Sequence, residues 1–338
     1  GIRDLVRSRG LGDVYKRQQQ HNAARVKVMN EESLIGLFVA MVSFGALLYL
    51  AALGELIAEK AGILNLGVEG MMAIGAVTAF IAGAELNNPW IALLIAMIAG
   101  AILATVHGLF TVGLGAEQVV SGLALTILGL GLAAYLGKDY VGRTPGAELV
   151  PVDWGALSDL PWVGPILFTQ APLVYIAILF GVTAAFVLGK TRVGLALRAA
   201  GESASSADSA GHSVFKVRLA AVAAGGALAG ASGAYLTLTL TPQWAEGLTA
   251  GRGWIAVALV IFGAWRPGRV GLGALLFGGT LALKTRLQTF GVDFSPIILS
   301  MLPYILTLLI LVLISIQARK RPSPSPAGLG LAYRREER

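Results

Sequence analysis

Cysteine is absent from the 338 residues, and histidine occurs only at His21, His107 and His212. Without cysteine there are no disulfides, thiolate nucleophiles or thiolate-held metals. Three scattered histidines, with no HExxH or comparable grouping, build no metal site. No Ser/His/Asp set stands at a spacing that suggests nucleophilic catalysis. Charge is scarce too: Asp, Glu, Lys and Arg make up 13% of the chain, where an average soluble domain has about 25%.

Apolar residues supply 56% of the chain, more than a water-soluble fold of this length can cover. Runs at residues 34–53, 90–114, 173–188 and 297–316 approach or exceed the roughly 20 residues that cross a hydrocarbon core of about 30 Å. The net charge of +7 sits at the ends: residues 1–28 contribute +5 and those from Arg319 onward +4, so the body carries −2. A phosphate-binding groove has no residues to build it, which argues against nucleic acid. Residues 1–28 alternate charged with small residues and are expected to be a non-native or disordered leader, with Met29 the better native start. The transmembrane domain then runs over 29–318, and 319–338 reads as a disordered cytoplasmic tail.

The fold class is all-α, a polytopic bundle of about eight to ten spans. Spans are expected at 34–53, 64–83, 90–114, 119–136, 166–188, 217–240, 252–264, 270–283 and 297–316. Residues 251–263 are too short to cross as a straight helix and read as a half-helix. Lys190, Arg192, Arg198 and Lys216 mark the connection 189–216 as cytoplasmic, which makes 138–162 an external loop able to pack as a lid. A nine-span count puts the start outside; a re-entrant break near 55–75 reverses it. Glycines at small-residue spacing, such as Gly75, Ala79 and Gly83 or Gly226, Gly230 and Gly233, predict helices in close backbone contact.

Gly189, Lys190 and Thr191 imitate the end of a phosphate-binding loop, but Ala184 stands where that motif needs glycine. They read as a helix end. His107 lies in a span, where an ionisable group is a functional candidate, although a bond to a neighbouring helix is the plainer role. More informative are Asn65 and Glu69, four apart on one helical face in the stretch AGILNLGVEGMMAIGA. Its counterpart is LTAGRGWIAVALVIFG, with Arg252 and Trp254 behind a glycine-broken entry. Paired short, interrupted helices predict discontinuous spans whose N-terminal N–H groups face a midplane site. The competing reading makes Glu69 and Arg252 a structural ion pair. Between the spans, Ser203 opens a run of cap-type residues and helix formers that stops at Gly211. That run suits a short amphipathic helix docking a soluble partner, or a solvated connector.

These residues carry a resemblance. AEKAGILNLGVEGMMAIGA, AEQVVSGLALTILGLGLAAYL, LRAAGESASSADSAGHSVFKVR, GLTAGRGWIAVALVIFGAWRPGR and MLPYILTLLILVL occur in order over about residues 50–313. The chain thereby resembles permease subunits of bacterial ATP-binding-cassette importers, in the ribose and branched-chain amino-acid branch, and is most similar to nucleoside (simple-sugar-like) permeases. The resemblance implies a protein of the bacterial cytoplasmic membrane with a cytoplasmic C-terminus, embedded in the lipid bilayer. It pairs with a second permease, expected to form a heterodimer, with a soluble ATPase inside and a solute-binding lipoprotein outside. ATP and Mg belong to that ATPase; this chain holds no cofactor and is not itself an enzyme. The likeness places Arg198, Ala199, Gly201, Glu202, Asp208 and Gly211 at the ATPase. It sets Asn65, Glu69, Gln118, Ser121 and Trp254 near the solute path, where Arg252 joins them from its half-helix. Where relatives tend to have Asn-Pro after the acidic residue, Ser203 and Ala204 stand here. The expected function is inward passage of a nucleoside or related small polar solute. The rival is a stand-alone ion-coupled transporter using Glu69, His107 or Arg252, with a membrane enzyme a distant third.

Overall fold

A computed structural model of the chain describes residues 31–289, 296–318 and 325–333, and all the regular structure among them is helical. The longer helices are α1 (Glu31–Lys60), α2 (Val68–Leu86), α3 (Pro89–Gly108), α4 (Gln118–Gly137) and α5 (Pro172–Lys190). Two short helices follow, α6 (Arg192–Glu202) and α7 (Ala204–Ser209). The chain continues through α8 (Val214–Tyr235), α9 (Arg252–Phe262), α10 (Pro267–Thr289) and α11 (Pro296–Ala318). Seven of these segments are long and apolar enough to cross a membrane, and two shorter apolar helices occur at Arg252–Phe262 and Met301–Ile310. Each coincides with one of the nine segments expected from the sequence. The proposed leader, 1–28, lies outside the described residues.

Helix ends are written locally. Asn88 accepts from the amides of Trp90 and Ile91, with Pro89 at the first helical position of α3. Glu117 accepts from Val119 and Val120 to start α4. Lys190 ends α5, as read for the Gly189, Lys190, Thr191 stretch, and Thr191 caps the next helix. The connection 189–216 holds two helices rather than one. Ser203 and Gly211 bound the second as expected, with Ser203 accepting from the Ser206 amide and Gly211 at φ +86°.

The bundle is organised around α8. A Cβ on Gly54 of α1 would stand 2.4 Å from the Gly225 carbonyl oxygen, one on Gly75 of α2 2.4 Å from that of Gly230, and one on Gly100 of α3 2.3 Å from that of Gly226. Three helices thus touch α8 backbone to backbone, the arrangement that dispersion favours where apolar burial supplies little drive. Ser232 of α8 and Thr237 in the π-helical turn just beyond it donate to the carbonyls of Leu47 and Ala76, at 2.7 and 3.0 Å. The outer faces are apolar: Ile102 is 61% and Ile127 73% exposed, which suits contact with hydrocarbon.

The segment 138–171 packs across one end of the bundle, with Leu149 buried and its amide donating to the Leu238 carbonyl at 2.9 Å. The tail is a correction. Residues 325–333, expected to be disordered, fold back onto α6 and α7, because their backbone groups find partners there: the Gly328 amide donates to the Gly201 carbonyl at 2.8 Å.

Candidate functional site

Between α1 and α2 the chain is non-helical, and Asn65 in this break is buried. Non-helical backbone at membrane depth survives only where protein satisfies its polar groups, and side chains from three helices do so. The Leu64 amide donates to Gln118 Oε1 at 2.7 Å, and the Asn65 amide to Glu55 Oε1 at 2.9 Å. The Leu66 carbonyl accepts from Thr126 Oγ1 at 2.8 Å. His107 Nε2 lies 3.1 Å from the Leu64 carbonyl and Nδ1 3.0 Å from Ser121 Oγ. A carbonyl only accepts, so in neutral His107 the proton sits on Nε2 and Ser121 donates to Nδ1. Asn65 turns inward on its own loop, Oδ1 accepting from the Gly67 amide at 3.0 Å and Nδ2 facing Met71 Sδ at 3.3 Å. Gln118 Nε2 is buried with no hydrogen-bond partner among the described residues.

Glu69, in the first turn of α2, joins this break to the second one. Its Oε1 accepts from Thr249 Oγ1 at 2.6 Å and from the Gly251 amide at 2.8 Å; its Oε2 accepts from the Gly253 amide at 2.6 Å. Gly251 has φ +78°, and a Cβ on Gly253 would lie 2.6 Å from the Glu69 backbone. Only glycine lets the two helix starts approach so closely. The N–H groups that were to face solute are occupied by a carboxylate from another helix, which complements the positive end of the α9 dipole. Glu69 serves as a remote cap, while Arg252 Nη1 donates to the Leu248 and Thr249 carbonyls at 2.6 and 3.2 Å.

Asn65, Gln118 and Ser121 therefore converge on residues 64–67 together with His107, and Glu69 meets the start of α9. Trp254, in the first turn of α9, is 37% exposed. The residues expected at the ATPase form a second group. Arg198 is exposed on α6 and its Nε donates to the Gly194 carbonyl at 3.4 Å; Ala199 is half-buried beside it. Glu202 accepts from the Ala327 amide, Asp208 accepts from the Tyr333 hydroxyl, and Gly211 ends α7. Gly201 connects the groups: a Cβ there would lie 2.2 Å from the Lys60 carbonyl oxygen, just before the break.

Sequence reasoning missed Arg218. Its side chain is fully buried and donates to three carbonyls, Ala61 from Nε, Ala200 from Nη2 and Leu331 from Nη1, each at 3.1 Å. The available signal was a guanidinium inside the apolar repeat of α8. Glu59, which accepts from Trp265 Nε1, was missed likewise. Among the described residues no group of His, Asp and Glu is arranged to hold a metal.

A family model described as branched-chain amino acid transport system / permease component matches residues 37–314. The chain is 42% identical over 264 residues to a putative glucose ABC transporter permease of Haloferax volcanii, covering 77% of this chain and 80% of the relative. It is 34% identical over 286 residues to a guanosine ABC transporter permease of Bacillus subtilis, covering 80% and 89%. A nucleoside ABC transporter permease of Lactococcus lactis is 33% identical over 302 residues, covering 83% and 93%. No solved structure matches.

Proposed function

We propose, from the premise that this chain belongs to the branched-chain amino acid transport system / permease component family and is the multi-pass permease subunit of an ABC transporter, that it carries a nucleoside inward. ATP hydrolysis belongs to a separate ATPase. In this reading α6 and α7 face the cytoplasm and seat that ATPase, a solute-binding lipoprotein delivers solute from outside, and a second, non-identical permease completes the passage. The bacterial cytoplasmic membrane is its place.

One observation carries the reading: Gly201, at the end of α6, is pressed against Lys60 directly before the break that holds Asn65. Packed backbones transmit displacement because they cannot interpenetrate. Closure of the ATPase against α6 and α7 thus moves the Lys60–Gly62 turn. The hydrogen bonds of Gln118, His107 and Glu55 carry that movement into the break, and Glu69 carries it to α9. Solute contacts come from groups with capacity to spare. Gln118 Nε2 is a buried donor without a partner among the described residues, and exposed Trp254 offers an aromatic face for a base. Asn65, Ser121 and Arg252 shape the path around them.

Two of the three relatives carry guanosine or nucleoside in their names, which supports the nucleoside; the 42% relative is named for glucose, which favours a sugar as the second reading. Family membership sets aside the ion-coupled rival. The test is uptake of labelled guanosine into vesicles holding the chain with its ATPase, paired permease and binding protein. ATP-dependent uptake that excess glucose does not suppress is expected. Suppression by glucose selects the sugar, and accumulation without the ATPase defeats the reading.

A further inference from the structure

Residues 325–333 cross the end of the bundle where the docking segment sits, and they make polar contacts with it and its support. The Gly328 amide donates to the Gly201 carbonyl at 2.8 Å, the Ala327 amide to Glu202 Oε2 at 3.1 Å, and the Gly330 amide to the Gly62 carbonyl at 3.2 Å. The Leu331 carbonyl accepts from Arg218, and the Tyr333 hydroxyl donates to Asp208 Oδ2 at 3.1 Å. Arg218 is thus shared by the turn after α1, the docking helix α6 and this strap. A buried guanidinium is costly unless its donors are paired, so the three segments stand or fall together at this point.

We infer that residues 325–333 are a third segment of the ATPase-docking platform, setting α7 against α6 and forming part of the surface the ATPase meets. The inference rests on the reading that α6 and α7 meet the ATPase. Three observations support a constituent over a detachable cover. Pro326 and Gly328 are buried, and a Cβ on Gly328 would lie 2.8 Å from the Gly201 carbonyl oxygen, so the strap is packed into the segment. Helix α7 has six residues, far below the roughly 12 that make an isolated helix even marginal, and Tyr333 holds its last turn through Asp208. Tyr333 also forms one wall of a pocket of ≈ 370 Å³ whose other walls include Asp208, His212, Phe215 and Arg218. Beside it Leu331 is 61% and Phe215 43% exposed, two apolar side chains at an aqueous end. The matching partner surface is an ATPase groove edge that offers an apolar side chain to this pair.

The experiment uses the full chain in nanodiscs with its paired permease, and titrates the purified ATPase onto it. A chain ending at residue 324 should bind the ATPase at least about tenfold more weakly while still assembling with its paired permease. Tyr333→Phe should lose about fivefold, and a peptide of residues 322–336 added in trans should restore the truncated chain. Unchanged affinity overturns the inference, as does tighter binding, which makes the strap a competitor of the ATPase. Should the truncated chain misfold, Tyr333→Phe decides alone. Ala199→Trp separates the two levels: if it leaves ATPase binding intact, the docking reading itself fails. If Ala199→Trp abolishes binding while the strap variants do not weaken it, only the strap inference fails.

Discussion

Oε2 of Glu69 lies 2.6 Å from the backbone amide of Gly253, so a carboxylate at the start of one broken helix caps the start of the other. The two are 184 residues apart in the chain. A hydrogen bond to a charged acceptor in a buried place is among the stronger contacts a protein makes, and here three of them meet on one side chain. Glu69 is consequently the joint between the breaks, and its loss should separate them.

Glu69→Ala should cost about 3 kcal/mol or more, because it strands two amides and a hydroxyl in a buried place. Glu69→Gln should cost about half as much, since one of its two terminal atoms still accepts. Thermal unfolding in detergent, followed by tryptophan fluorescence, reads the difference. Equal melting of both variants and the native chain would remove Glu69 from this role.

Gly201→Val should uncouple the two groups of residues without preventing insertion. Its side chain has to displace the Lys60 carbonyl, at a cost of about 1–3 kcal/mol for overpacking. ATP hydrolysis by the assembled transporter should no longer rise when solute-loaded binding protein is added. Retained stimulation would mean that movement reaches the break by another route.

Gln118→Glu keeps an acceptor for the Leu64 amide and removes the amide donor that has no partner among the described residues. Stability should change little, while uptake falls about tenfold or more if that donor holds solute, a buried bond being worth about 1.5 kcal/mol. Gln118→Leu should lose both stability and uptake. Normal uptake by Gln118→Glu would leave Gln118 a purely structural brace.

Trp254→Ala should raise the KM for guanosine about tenfold, stacking on an aromatic face being worth roughly 1–3 kcal/mol per base. Trp254→Phe should retain most of the affinity. A sugar has no aromatic ring to stack, so the ratio of guanosine to glucose uptake is the informative readout. An unchanged ratio would place Trp254 away from the base.

Much of this was legible from local pattern. Ser203 and Gly211 bound a helix where their residue types say they should. The half-helix at Arg252 was visible as a run too short to cross, but Asn65, read on one helical face with Glu69, lies in the non-helical break before α2. What those breaks bond to was not legible. Helix α6 was overlooked because its apolar residues are few and its charges read as loop. Arg218 was overlooked because nothing in its neighbourhood announces three carbonyls drawn from residues 61, 200 and 331.

The sequence by itself determined that this chain is helical and membrane-spanning. Those properties follow from the length of apolar runs measured against hydrocarbon thickness and from which side chains are present at all. Only the tertiary structure decided that Glu69 caps a distant helix, that Gly201 bears on Lys60 and that residues 325–333 are folded. Each depends on backbones approaching within ångströms across more than a hundred residues of chain, a property of packing that no local spacing encodes.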